Sequence, residues 1–243
     1  MKVLVTGGAY YIGSVVTQQV LAAYHTVEVI DDLSTGYAAS VPAGARLHRL
    51  PIGEAGRVLD SSFDAVLHFA AKSLVGESVS RPELYWHGNI VQTLHLLDAM
   101  REAGVPRMVF SSTAATYGEP AADSITEDQP THPTNPYGAS KLAIDHMLTA
   151  EAAAHGLAAV SLRYFNVAGA AFVEGGGVLA ERHDPETHLI PNLLKVAAAS
   201  AARVDLRHRL SDPGRHLHPG LHPCGGPGRR ACAGAGCRGG RGA

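Results

Sequence analysis

The chain predicts an α/β fold built on a doubly wound parallel sheet. Three observations carry that prediction. Short apolar runs recur along the first two thirds of the chain, stretches of helical periodicity separate them, and the first run leads straight into a glycine-rich turn, "TGGAYYIGS", Thr6 to Ser14. Apolar runs separated by helices indicate a parallel sheet covered on both faces. Such sheets bind ligands beyond the carboxyl ends of their strands.

In order, the β-branched run over 2–6 predicts the first strand and the periodicity of 12–23 the first helix. A second strand is expected over 26–30, ending in the acidic pair Asp31-Asp32. Further strands are expected over 64–69, 108–112 and 159–164, with helices over 90–103 and 137–155. Residues 1–168 thus read as one dinucleotide-binding domain of Rossmann type, and 169–204 as the start of a smaller substrate domain. From Arg203 onward the sequence has no Ile, Phe, Tyr, Met or Trp, and it is rich in Gly, Pro and Arg. Such a stretch has little to pack. Residues 205–243 are therefore expected to be disordered, leaving only a remnant of the second domain.

The 243 residues allow one large domain, or one and a part. With 46% apolar and 17% charged residues the composition suits a globular enzyme. A formal net charge of −2 gives no reason to expect a nucleic-acid partner for the whole molecule. No apolar run is long enough to span a membrane, and Met1-Lys2 leads directly into a strand without a leader pattern, so a cytoplasmic location is expected. Cys224, Cys232 and Cys237 cluster late and do not suggest a disulfide framework. With His216, His218 and His222 they match no common zinc spacing, and no metal is expected. The basic tail, with "CRGGRG" from Cys237 to Gly242, leaves one alternative of another class. This is a non-catalytic protein whose tail binds RNA weakly and in a salt-sensitive way.

In the glycine-rich turn, Gly7 suits the tight turn and Gly13 the close packing of helix on strand. A pyrophosphate would sit on the helix N-terminus. Tyr10 stands where such loops usually have their middle glycine. Asp31, at the end of the second strand, suits a ribose 2′-hydroxyl and favours NAD over NADP.

The catalytic candidates lie in "NPYGASK", Asn135 to Lys141. Tyr137 and Lys141 are one helical turn apart, on one face. A phenol with a reference pKa near ~10 is a poor base at neutral pH. A neighbouring ammonium favours the phenolate, which could then take a proton from a sugar hydroxyl. "FSSTAATYG", Phe110 to Gly118, ends another strand in hydroxyls, and Thr113, or Ser112 beside it, could bind the same reacting oxygen.

These stretches, with "DDLSTG", "HFAAKSLVGESV", "LRYFNVAGA" and "HDPETHLIP", resemble the UDP-glucose 4-epimerase (UDP-galactose 4-epimerase) family of the extended short-chain dehydrogenase/reductase superfamily. The resemblance runs from residue 1 to about 200 in family order. It implies a firmly bound NAD, and UDP-glucose and UDP-galactose as substrates. Hydride leaves C4 of the hexose, the 4-keto sugar rotates, and the hydride returns to its other face. It further implies that Tyr137 is the base, that Lys141 orients the nicotinamide ribose and lowers the tyrosine pKa, and that Thr113 assists. The implied NAD contacts are Gly7, Tyr11, Ile12 and Gly13 in the loop, then Asp31, Asp32, Leu33, Ser34, Thr35 and Gly36 after the second strand. Ile52 would follow, then Phe69, Ala70, Ala71 and Ser73, and last Ser111, Tyr137, Lys141 and Phe165. Thr113, Tyr137, Asn166, His188 and Leu189 would touch the UDP-sugar. A homodimer would be family-like.

The departures from the family are specific. Besides Tyr10, the family's Gly-Asp-Ile reads Leu50-Pro51-Ile52, which removes a carboxylate from the adenine site. Asp32 replaces an asparagine. The usual Asp-Asn-Asn reads His87-Gly88-Asn89, losing an amide that would face the cofactor. The family lysine is displaced: Lys72 stands one residue early and Ser73 holds its place. Dehydratases of the superfamily have Thr-Asp-Glu where this chain has Ser112-Thr113-Ala114, so the elimination of water would lack its acid and base. Other NAD-dependent nucleotide-sugar epimerases stay open. Read one nucleotide out of frame with allowed codons, Leu206 to Gly236 spells a continuation similar to the family's second half. The expectation is that the chain leaves its frame near residue 205, and that activity in this frame is impaired or absent.

Overall fold

The structure, a computed structural model, describes residues 1–120, 124–173, 177–182, 186 and 188–198. Six strands, β1 (Lys2–Thr6), β2 (Thr26–Ile30), β3 (Arg46–His48), β4 (Ala65–His68), β5 (Arg107–Ser111) and β6 (Ala158–Leu162), form one sheet. Their order is β3-β2-β1-β4-β5-β6, and every neighbouring pair is parallel. The chain winds outward from β1 to β3 and returns to β4 on the other side of β1. That reversal opens a crevice between β1 and β4, where a ligand can enter.

Alternation along β1 divides the core between the two faces of the sheet. Leu4 packs with Leu96, Met100, Phe110 and Ile144, whereas Val3 and Val5 pack with Val27, Val29, Val20 and Leu21. The first group is covered by α4 (Gln92–Ala103) and α5 (Pro136–His155), the second by α1 (Tyr11–Ala22). Each fully buried side chain of this size contributes roughly 1.5–3 kcal/mol. Helix α5 begins with Pro136 in its first turn, and the Asn135 side chain accepts the Gly138 N–H at 2.9 Å. Both features fix where Tyr137 starts.

The doubly wound sheet agrees with the sequence reading, but several boundaries differ. Residues 26–30 and 2–6 form strands as expected. The three-residue β3, and the short helices α2 (Val75–Ser80) and α3 (Pro82–Tyr85), carry too few periodic positions to be foreseen. A π-helical stretch, Trp86–Val91, precedes α4. The last strand stops at Leu162, because Arg163 turns to Asp145 with Nε 2.9 Å from Oδ2. Within 169–204 the chain forms an antiparallel hairpin, β7 (Ala170–Val173) and β8 (Gly177–Ala180), then α6 (Leu189–Ala198). The disorder, the frame change, the late cysteines and the tail histidines fall outside the described residues. Among the described residues no helix is long and apolar enough to cross a membrane, and no group of three or more His, Cys, Asp and Glu could hold a metal ion. Val160, Leu162, Phe165 and Phe172 are exposed apolar side chains beside the β6 edge and the hairpin.

Candidate active site

A groove of about 640 Å³ lies at the carboxyl ends of β1, β4 and β5. The glycine turn forms its floor. Gly7 has φ +74°, and a Cβ there would meet the Ala70 nitrogen at 2.5 Å. A Cβ on Gly13 would stand 2.1 Å from the Gly7 carbonyl oxygen. Only glycine lets β1, α1 and the segment after β4 come this close. Tyr10, at the N-cap of α1, is extended (φ −113°, ψ 178°) and offers no side-chain cap. Its carbonyl accepts the Ser14 N–H at 2.8 Å, so the leading N–H groups of α1 lack a side-chain partner from the cap and suit an anion.

Tyr10 is therefore unstrained, and glycine is not required at that position by the backbone. The substitution acts through the side chain, which lines the groove. Burial and the neighbouring Glu181 and Glu186 push the phenol pKa up. Asp31 is buried at the end of β2 and ties the floor together. Its Oδ2 accepts from Ala9 N at 3.0 Å and its Oδ1 from Leu33 N at 2.9 Å. Desolvation raises the Asp31 pKa, opposed by these two hydrogen bonds. Each oxygen keeps a lone pair for a ribose hydroxyl.

At the far end of the groove, α5 brings Tyr137 and Lys141 to the end of β5. Burial pushes the Tyr137 pKa up to about 12, while a hydrogen bond from Thr113 pulls it down. Thr113 is oriented for this, because its Oγ1 already accepts the Ala115 N–H at 3.1 Å and keeps its proton to donate. Lys141 is buried, and its Nζ donates to the Ser111 carbonyl at 2.7 Å and lies 4.7 Å from the centre of the Phe110 ring. Burial holds its pKa down at about 7. The ammonium thus faces a backbone carbonyl here, and burial governs the tyrosine pKa.

Most of the residues implied by resemblance line the groove: Gly7, Tyr11, Ile12, Gly13, Asp31, Asp32, Ser34, Thr35 and Ile52 on the loop side. Phe69, Ala70, Ala71, Ser73, Ser111, Thr113, Phe165, Asn166 and His188 line the other. Four do not line it. Ser112 donates instead to Asp145 Oδ2 at 3.2 Å, so the choice between Ser112 and Thr113 falls to Thr113. Leu33, with φ +61°, supplies its N–H to Asp31. A Cβ on Gly36 would meet Ala9 and Asp31 at 3.0 Å, behind the loop, and Leu189 opens α6. Sequence reasoning missed Tyr164, whose hydroxyl pairs with Ser111 Oγ beside Tyr137. It also missed His68, which is clamped between Thr6 Oγ1 at 2.6 Å and Thr93 Oγ1 at 2.9 Å, its pKa driven down to about 3 by burial. A lone strand histidine gives no sequence signal.

Lys141 yields a pH prediction. Its folded pKa of about 7 lies below the ordinary 10.5, so between those values the unfolded chain binds the extra proton. The penalty of burying it is complete below the folded pKa and fades as pH rises toward the unfolded one. The Tm of Lys141→Met minus that of wild type should therefore rise as pH falls from 10 to 7. A difference that is flat with pH would mean that Lys141 keeps its ordinary pKa.

The sequence matches the NAD dependent epimerase/dehydratase family over residues 3–211. It is 59% identical to a UDP-glucose 4-epimerase of Streptomyces lividans over 204 residues, covering 81% of this chain and 60% of that protein. Identity to a UDP-glucose 4-epimerase of Corynebacterium glutamicum is 56% over 199 residues, covering 81% and 59%. Among solved structures, a Brucella ovis UDP-glucose 4-epimerase in complex with NAD superposes with a TM-score of 0.76 at 41% identity, covering 82% of this chain and 62% of that one. The chain thus spans about 60% of the length of the curated relatives it matches.

Proposed function

The chain belongs to the NAD dependent epimerase/dehydratase family, and from that premise we propose that it derives from a UDP-glucose 4-epimerase that binds NAD in the described groove. The observation that carries the proposal is the Tyr137 phenol, hydrogen-bonded by Thr113 and one turn from Lys141, at the far end of a groove floored by Gly7 and Gly13. A bound NAD supplies reversible hydride acceptance from C4 of a hexose. Asp31 would hold the adenosine ribose, the α1 N-terminus would hold the diphosphate, and Lys141 would orient the second ribose. Tyr137 takes the proton of the C4 hydroxyl and returns it, while Thr113 binds the same oxygen. Buried Ala114, which has no proton to exchange, supports epimerisation over loss of water.

The test is release of NAD from the denatured chain together with conversion of UDP-galactose to UDP-glucose; absence of both overturns the reading. Tyr10→Gly is expected to raise the NAD content per chain, because it removes a ring from the wall that the diphosphate passes. Unchanged content would mean that the ring leaves the diphosphate path clear. For residues 205–243 we propose a change of reading frame, which fresh DNA sequence across those codons tests directly. If neither shifted frame continues the family's second half, that proposal falls.

A further inference from the structure

Helix α5 grips the end of β5 at two consecutive residues. Lys141 Nζ donates to the Ser111 carbonyl at 2.7 Å, and one turn later Asp145 Oδ2 accepts the Ser112 hydroxyl at 3.2 Å. Thr113, which hydrogen-bonds Tyr137, is the next residue along the chain. Arg163 closes the cluster from beyond β6: its Nε donates to the same Oδ2 at 2.9 Å, and its Nη1 donates to the Tyr117 hydroxyl at 3.3 Å. Asp145 thus joins the ends of β5 and β6 to the helix that carries Tyr137 and Lys141. Both Lys141 and Asp145 are buried, at 2% and 6% exposure.

Asp145 uses only one of its oxygens for this anchoring. Oδ1 is buried and accepts no hydrogen bond among the described residues. A carboxylate short of donors in the interior acts strongly on cations near it. Residues four apart on a helix share a face, so Lys141 lies within its reach. The ammonium itself is turned to a neutral carbonyl and to the Phe110 ring, and Asp145 is the carboxylate that favours its charged form against burial. We propose that Asp145 is a positioning residue that keeps Lys141 charged inside the protein, with Arg163 and Ser112 holding the carboxylate in place for it. This inference rests on the reading of Tyr137 and Lys141 as the proton-transfer pair, and it supplies what makes that lysine a cation. Only a charged Lys141 favours the Tyr137 phenolate.

The test is a thermal double-mutant cycle on the full chain, with Asp145→Asn and Lys141→Met made singly and together, from pH 9 to pH 6. Asparagine keeps the shape and an oxygen for Arg163 and Ser112, so it removes the charge alone. The folded Lys141 pKa of about 7 lies inside this window. At pH 9 the folded lysine is neutral, and the carboxylate has no charge there to stabilise. As pH falls the lysine takes up its proton, and the chain without the carboxylate lacks that stabilisation. A tenfold loss in the proton affinity of Lys141 should widen the Tm gap between Asp145→Asn and wild type by about 3 °C across the window. In the Lys141→Met background the gap should stay flat with pH. His68, Tyr137, Tyr164, Arg163 and Tyr117 also face this pair, as does Tyr85 with Glu77 through Tyr137. All are present in the four chains, so their own titrations cancel. A gap that is independent of pH and equal in both backgrounds makes Asp145 a structural anchor and overturns the proposal. Folding of Asp145→Asn only together with Lys141→Met supports it, and folding in neither background overturns it. The cycle needs neither cofactor nor turnover, so absence of NAD and of conversion overturns the epimerase reading while this coupling is still measured.

Discussion

On the proposed epimerase reading, Tyr137→Phe is expected to lower whatever rate of UDP-galactose conversion the chain has by about 10³-fold, within the usual range for loss of a general base. That corresponds to about 4 kcal/mol in the barrier. Cofactor affinity should change by no more than about twofold, since the ring stays and only the hydroxyl goes. The phenol, held near a pKa of about 12 by burial, is the group at the far end of the groove that is hydrogen-bonded by Thr113. At neutral pH it is overwhelmingly protonated. A working base therefore needs positive charge brought closer than the Lys141 ammonium stands in this structure, where it points at the Ser111 carbonyl. A bound NAD would add positive charge to the groove, and Lys141 is the lysine on the Tyr137 side that would add to it. A Tyr137→Phe chain keeping more than a tenth of the wild-type rate would remove Tyr137 from the proton transfer.

Gly13→Ala should abolish cofactor binding, with at least a 100-fold loss in NAD affinity, about 2.7 kcal/mol. The added methyl would stand 2.1 Å from the Gly7 carbonyl oxygen, so α1 must lift away from the turn. The backbone N–H groups that would meet the diphosphate move with it. Forcing a methyl into a packed contact of this kind costs about 1–3 kcal/mol, and a domain of this size loses roughly 2–4 °C of Tm per kcal/mol. The expected readout is a lower melting temperature together with a chain purified free of NAD. Normal NAD content in Gly13→Ala would place the diphosphate away from the α1 N-terminus.

The parts legible in the sequence were those carried by local pattern. The run Lys2–Thr6, the turn glycines and the Tyr137/Lys141 spacing each announce a strand, a cradle and a shared helix face within a few residues. Spatial partners were not legible. Nothing near Lys141 in the sequence points to the carbonyl of Ser111, thirty residues away, and nothing near Ser112 points to Asp145. Tyr10 looked disruptive because the position usually holds glycine, yet its backbone is ordinary and extended. Short elements escaped for a physical reason: β3 has three residues, and its pairing with β2 supplies what periodicity cannot.

The sheet order also sets a timetable for synthesis. β1 is flanked by β2 and β4, and Gly7 rests on Ala70, so the dinucleotide cradle cannot close until the ribosome has released the chain through β4. No neighbouring pair in this sheet is a local hairpin; each waits for a crossover to be made first. At ordinary elongation rates of roughly 5–20 residues per second, the glycine turn remains exposed for several seconds before its ceiling arrives. Tyr137 follows later still, on a helix made after β5. The nascent chain therefore completes its binding floor well before its reactive end, and a cofactor present during translation would meet the floor first.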